Sequence, residues 1–103
     1  MLIYVDMDIK ALESNAERAC DLLIAMANAR RLMVLCKLAE GEKSVNELVE
    51  SVGLSQSAVS QHLAKLREGN IVETRRDKQT IYYRLASHEV RMMLATLYEL
   101  YCS

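Results

Sequence analysis

A chain of 103 residues has room for one domain around a single core, which excludes a second domain. With 51% hydrophobic residues, 26% charged residues and no proline, it reads as a packed, helix-rich chain and not a disordered one. The formal charge of −1 hides an asymmetry: residues 55–84 hold six bases against three acids and carry +3, leaving −4 on the remainder, so one stretch alone can face phosphate.

In chain order, apolar residues recur at helical spacing at Ile9, Leu12, Ala16, Ala19/Cys20, Leu23 and Met26/Ala27, predicting a first helix over about 8–27. Asn28 is a suitable N-cap for a second, whose stripe is Leu32, Leu35/Cys36 and Ala39 and whose end is Gly41. Ser44-Val45-Asn46-Glu47 has the form of a capping box, so a third helix runs from Ser44 to Val52 and stops at Gly53. Ser55 caps a fourth with the stripe Val59, Leu63 and Leu66, ending at Gly69. Only Gly53-Leu54-Ser55 joins the third helix to the fourth, which forces a sharp corner and predicts a helix-turn-helix over about 44–68.

After Gly69 the period falls to two: Ile71 alternates with Glu73, Asp77-Lys78-Gln79 makes a polar turn, and Ile81, Tyr83 and Leu85 alternate with polar neighbours. This is a hairpin wing over about 70–86. Ser87 then caps a last helix over about 87–102, with Val90, Met93/Leu94, Leu97 and Leu100/Tyr101 on one stripe that Met92, Ala95 and Tyr98 broaden. The expected fold is mainly α with a β-hairpin wing: a winged helix-turn-helix in the order α-α-α-α-β-β-α, forming one domain over 1–103. Without Phe or Trp the core of so short a chain is small, and its first and last helices are apolar around too much of their circumference for a monomer. They are the candidate homodimer interface.

No apolar run approaches the roughly 18 residues that span a bilayer, and residues 1–6 lack the basic region of a leader, so a cytoplasmic protein with no membrane partner is expected. Cys20, Cys36 and Cys102 are odd in number and widely spaced, which argues against a secreted disulfide framework and a zinc knuckle. No glycine-rich phosphate loop or Ser/His/Asp set is present, so no enzyme and no cofactor is expected.

Opposite the core stripe of the fourth helix stand Ser57, Gln61, Ala64 and Glu68, flanked by Ser60 and Lys65. Small polar residues suit a groove, because Gln can pair with adenine edges and Ser with base edges or phosphate. Gln56, at the helix start, can bond phosphate beside free helical amides. His62 borders the core face and either packs structurally or contacts phosphate or base. Around the wing turn, Arg75, Arg76, Lys78 and Gln79 can reach the minor groove or flanking phosphate; equally, they form a charged edge that resists aggregation. The face alone is compatible with a solvated helix, but the corner before it and the basic hairpin after it point to double-stranded DNA. A protein–protein adaptor on the same scaffold is the competing class, and the +3 stretch argues against it.

Three runs carry a family resemblance over nearly the whole chain: Leu22-Leu23-Ile24-Ala25-Met26-Ala27-Asn28-Ala29-Arg30-Arg31-Leu32, Leu54-Ser55-Gln56-Ser57-Ala58-Val59-Ser60-Gln61-His62-Leu63-Ala64-Lys65-Leu66-Arg67 and Arg75-Arg76-Asp77-Lys78-Gln79-Thr80-Ile81-Tyr82-Tyr83. They resemble the ArsR/SmtB family of bacterial repressors. The resemblance implies a homodimer formed through the first and last helices that binds an inverted-repeat operator, nucleoid-associated when bound. Many members sense metals through cysteines of the third helix or an Asp/His set on the last; here the third helix reads Glu47-Leu48-Val49-Glu50 and the last begins Ser87-His88-Glu89. The roughly four convergent ligands of a transition-metal site are missing, so no metal is expected.

Cys36 and Cys102, with the turn Gly41-Glu42-Lys43-Ser44-Val45, instead resemble the persulfide-responsive, BigR/SqrR/HlyU-like subgroup. That resemblance implies redox sensing: persulfides as inducer, a disulfide or polysulfide bridge between the two cysteines, and release of the operator. Read by itself, Cys36 is a small apolar core residue as readily as a reactive thiol. Cys20, on the stripe of Ala16 and Leu23, reads as core or interface packing. The alternatives within the family are an anti-silencing activator of virulence genes and a metal-sensing repressor.

Overall fold

Capping side chains and the carbonyls they compete for set the element boundaries in the computed structural model, which describes residues 7–102. Residues 1–6, on which the leader argument rests, lie outside them, as does Ser103. Asp8 accepts from the Ala11 amide and starts α1 (Ile9–Ser14). The helix then breaks, and α2 (Ala16–Met26) begins afresh after Asn15, whose backbone sits at φ −112°, ψ 16°. The single helix expected over about 8–27 is therefore two. Ser14 Oγ and Asn15 Nδ2 both donate to the Ala11 carbonyl at 2.9 Å, in competition with the helical amides, and no residue of α1 is buried, so no packing holds the helix continuous.

Asn28 accepts from the Arg31 amide at 2.9 Å and caps α3 (Ala29–Glu40). The capping box forms as the sequence predicts: Ser44 Oγ accepts from the Glu47 amide and Glu47 Oε1 from the Ser44 amide, opening α4 (Val45–Val52). Gly53 ends it at φ 69°, a left-handed conformation that a side chain would strain. Ser55 Oγ then accepts from the Ala58 amide and starts α5 (Gln56–Glu68).

The strand before α4, β1 (Lys43–Ser44), joins the hairpin of β2 (Val72–Asp77) and β3 (Thr80–Leu85) as a three-stranded antiparallel sheet in the order β1-β3-β2. Lys43 faces Tyr83 and Ser44 faces Tyr82. Two residues carry no alternation, which is why the sequence indicates only the hairpin. Lys78 and Gln79 form the turn, with Lys78 at φ 59°. Ser87 Oγ accepts from the Val90 amide at the start of α6 (His88–Cys102). The expected winged helix-turn-helix is thus the observed fold, its first helix divided and its wing extended by one short strand. Among the described residues no helix is long and apolar enough to cross a membrane.

The core lies where α3, α4 and α5 meet the base of the sheet: Val34, Leu35, Leu38, Leu48, Val59, Leu63 and Leu66 are all within 1% of complete burial. Ile81 keeps the alternation of its strand with Tyr83 and Leu85 but is exposed, because the distal hairpin projects past the core. Apolar side chains also remain exposed on α1 and α2 (Ile9, Leu12, Leu23, Ile24) and on α6 (Met92, Tyr98, Leu100, Tyr101).

One buried charge braces this arrangement. Arg31, 8% exposed, donates its Nε to the Ala25 carbonyl and a terminal nitrogen, at 3.1 Å, to the Ile24 carbonyl, which also accepts from the Ala27 amide; both acceptors lie at the end of α2, where the helix dipole favours a cation. Replacing it by methionine keeps the apolar stem and removes the donors. Hydrogen bonds to a charged group contribute about 1.5–3 kcal/mol, so R31M should lower the urea midpoint by that equivalent with an unchanged m-value. A midpoint within error of the parent would refute the brace.

Candidate nucleic-acid interface and cysteine cleft

The left-handed turn at Gly53 swings α5 across α4, and the buried stripe Val59, Leu63 and Leu66 fixes its rotation. The opposite face is consequently turned outward: Gln56, Ser57, Ser60, Gln61 and Lys65 are exposed. None of these five side chains is engaged by another group among the described residues. His62 is half-buried at the edge of the face. Burial first, and then the nearby Arg31 charge, lower its pKa below the ordinary histidine value, so at neutral pH it is an uncharged donor and acceptor.

The wing residues, equivalent in sequence, divide in space. The Arg75 guanidinium donates to Glu42 Oε1 and Oε2 in three hydrogen bonds of 2.7–3.0 Å and lies 4.8 Å from the Tyr82 ring centre. Those bonds hold the Glu42 carboxyl below the usual carboxylate range. Arg84 pairs with its cross-strand partner Glu73. Arg76 Nε donates to the Lys78 carbonyl at 3.2 Å and makes no ion pair among the described residues; neither does Lys78. Free positive charge is thus concentrated at the hairpin tip, with Gln79 beside it. Glu42 escapes sequence reasoning because it lies far from Arg75 along the chain and no local pattern links them.

Cys36 and Cys102, on α3 and at the end of α6, line one cleft of about 270 Å³ whose other walls are Leu32, Leu94, Leu97, Tyr98 and Tyr101. A second cleft, of about 350 Å³, also has Cys36 in its lining, with Ala39, Arg91, Leu94, Ala95 and Tyr98. The core-residue reading of Cys36 fails, since the residue reaches the surface. Its thiol is nevertheless flanked by apolar walls, and that desolvation raises its pKa; Cys102 and Glu40 raise it further and Lys37 opposes them. Cys20 is exposed on α2 and lines neither cleft, so it is not a core residue of this chain either. Among the described residues no three His, Cys, Asp or Glu side chains gather as metal ligands.

A thiol titrating above its ordinary value gains thiolate about tenfold per pH unit throughout the neutral range. Alkylation of Cys36 should therefore accelerate by that factor between pH 6.5 and 8.5. A plateau below pH 8 would contradict the desolvated thiol.

Comparison with known proteins matches this architecture. The profile of the arsR family of bacterial regulatory proteins matches residues 28–74, from the cap of α3 into β2. The transcriptional activator HlyU of Vibrio cholerae serotype O1 is 50% identical over 96 residues, covering 93% of this chain and 89% of HlyU. The nodulation protein NolR of Rhizobium meliloti is 52% identical over 87 residues, covering 84% and 71%. The crystal structure of the transcriptional repressor BigR from Xylella fastidiosa superposes with a TM-score of 0.90 at 39% identity, covering 94% of this chain and 99% of that one. With its fold, its outward polar helix and its relatives in agreement, the chain belongs to the arsR family of bacterial regulatory proteins and is a transcriptional regulator, not an enzyme.

Proposed function

We propose that the protein is a thiol-responsive repressor, a cytoplasmic homodimer that binds an inverted-repeat operator when reduced and leaves it when Cys36 and Cys102 are bridged. The observation that carries this reading is that two cysteines distant in sequence line one apolar cleft. In the dimer, the exposed apolar side chains of α1, α2 and α6 meet their counterparts. The two copies of α5 then enter successive major grooves, about 34 Å apart. Gln56, Ser57, Ser60, Gln61 and Lys65 face bases and phosphates, His62 bonds without adding charge, and Arg76, Lys78 and Gln79 reach from the wing. Arg75, bound to Glu42, sets the angle of the wing on the body.

Persulfides supply the stimulus. The Cys36 thiolate attacks the outer sulfur of R–S–SH, forming Cys36–S–SH and expelling RS⁻. The Cys102 thiolate then attacks the Cys36 sulfur, closing a disulfide and releasing HS⁻; if Cys102 is itself persulfidated, two persulfides condense to a trisulfide with loss of hydrogen sulfide. Either bridge ties α6 to α3. Because α3 shares its buried stripe with α5, the spacing of the two reading helices changes with it.

A second reading, activation by displacing a silencing protein, draws on the half-identical relative that is a transcriptional activator. Promoter mapping separates the two: a repressor site overlaps the polymerase site, whereas an anti-silencer site lies upstream. A metal-sensing repressor finds no gathered ligand set among the described residues.

Two measurements test the main reading, both on duplex DNA selected by the reduced protein from a random library. C36S should keep the parent affinity but lose release by organic persulfides; release by C36S would end the sensing claim. R76A should weaken binding and reduce the slope of log affinity against log salt by about 0.9, the value for one phosphate contact. An unchanged slope would remove Arg76 from the interface, and absence of binding even at low salt would favour the adaptor.

A further inference from the structure

We infer that Cys36 serves two clefts with separate duties, and that Arg91 makes the cleft it shares with Cys36 a seat for small persulfide donors bearing a carboxylate. The inference rests on the persulfide-sensing reading above and adds the class of donor.

The two clefts share Cys36, Leu94 and Tyr98 and differ in their remaining walls. One cleft adds Leu32, Leu97, Tyr101 and Cys102: no charged group, and the second thiol. The other adds Ala39, Ala95 and the cationic Arg91, around about 350 Å³ of space. That volume lies at the small end of the ~300–1,000 Å³ typical of ligand pockets. A donor in the Arg91 cleft adjoins Cys36, whereas the resolving thiol lines the other cleft.

The charges around the site single out Arg91. Lys37, the cation that acts on the Cys36 thiol, is 3.8 Å from Glu40, and Lys43 shares the same carboxylate at 4.0 Å. Arg91 makes no ion pair among the described residues; its amide is spent on the helical bond to the Ser87 carbonyl. A guanidinium without a partner at the rim of an otherwise apolar cleft suits a carboxylate on a short apolar stem, because its fork of donors matches that group. With the carboxylate held there, the Cys36 thiolate attacks the donor's outer sulfur, the donor S–S bond breaks, and the donor departs as its thiolate while Cys36–S–SH turns to Cys102.

The test compares two donors of nearly the same shape, N-acetylcysteine persulfide and its uncharged methyl ester, on the full-length chain, following sulfur added at Cys36 by mass spectrometry. The parent should prefer the acid. R91Q should slow the acid about three- to fivefold, the scale of a partly exposed ion pair, and leave the ester unchanged, while R91K should restore most of the preference. The preference should also shrink in 1 M salt, where the Debye length falls to about 3 Å. Equal slowing of both donors, or no slowing of either, would overturn the inference. The same samples, scored for release of the selected duplex, keep the two claims apart: charge-selective modification without release supports the seat and counts only against the regulatory reading.

Discussion

The constraint on which the other features depend is the inner stripe of α3. Val34, Leu35 and Leu38 are completely buried or within 1% of it, and they pack in one cluster with Val59, Leu63 and Leu66 of α5. That packing fixes the rotation of α5, which decides which of its side chains look outward. Successive residues of a helix are about 100° apart, so Cys36, next to Leu35, stands just beyond the edge of the core on the side that α6 covers. A chemical event at the thiol thus occurs one residue away from a fully packed side chain. Dense cores do not deform smoothly, and a strain applied to α3 is passed on as displacement of its neighbours.

Charge is distributed with the same economy. Two acids each occupy an arginine of the basic stretch: Glu42 from the acidic remainder of the chain, and Glu73 from within the stretch itself. Both pairs are exposed and contribute little to stability. Their consequence is spatial: with Arg75 and Arg84 engaged, free cations are left at the hairpin tip and on α5, where a duplex would meet them. Around Cys36 a comparable sorting occurs, with Lys37 held by Glu40 and Arg91 left open.

Where local chemistry alone decides a boundary, the sequence was readable. The Ser44 capping box, the Asn28 and Ser55 caps and the glycine turn at position 53 all stand as their residue types demand, because each involves partners within three or four residues. The failures share the opposite property. The first helix looked continuous because its apolar spacing is helical throughout; only the competition of Ser14 and Asn15 for the Ala11 carbonyl, without compensating packing, breaks it. Strand β1 exists through its pairing with β3 and carries no pattern of its own. Ile81 fits the alternation of its strand, yet the hairpin extends past the core that would have buried it.

By itself, then, the sequence determined the succession of the helix-turn-helix, the hairpin and the last helix, the outward face of α5 and the family, since helical period, caps and the Ser55–Leu63 run are local and additive. Tertiary structure decided which groups of that inventory act together. It joined Arg75 to Glu42, put Arg31 under the end of α2 near His62, and brought Cys36 to one cleft with Cys102 and to another with Arg91. These juxtapositions come from packing helices and a sheet around one core, and no spacing along the chain encodes a distance across it.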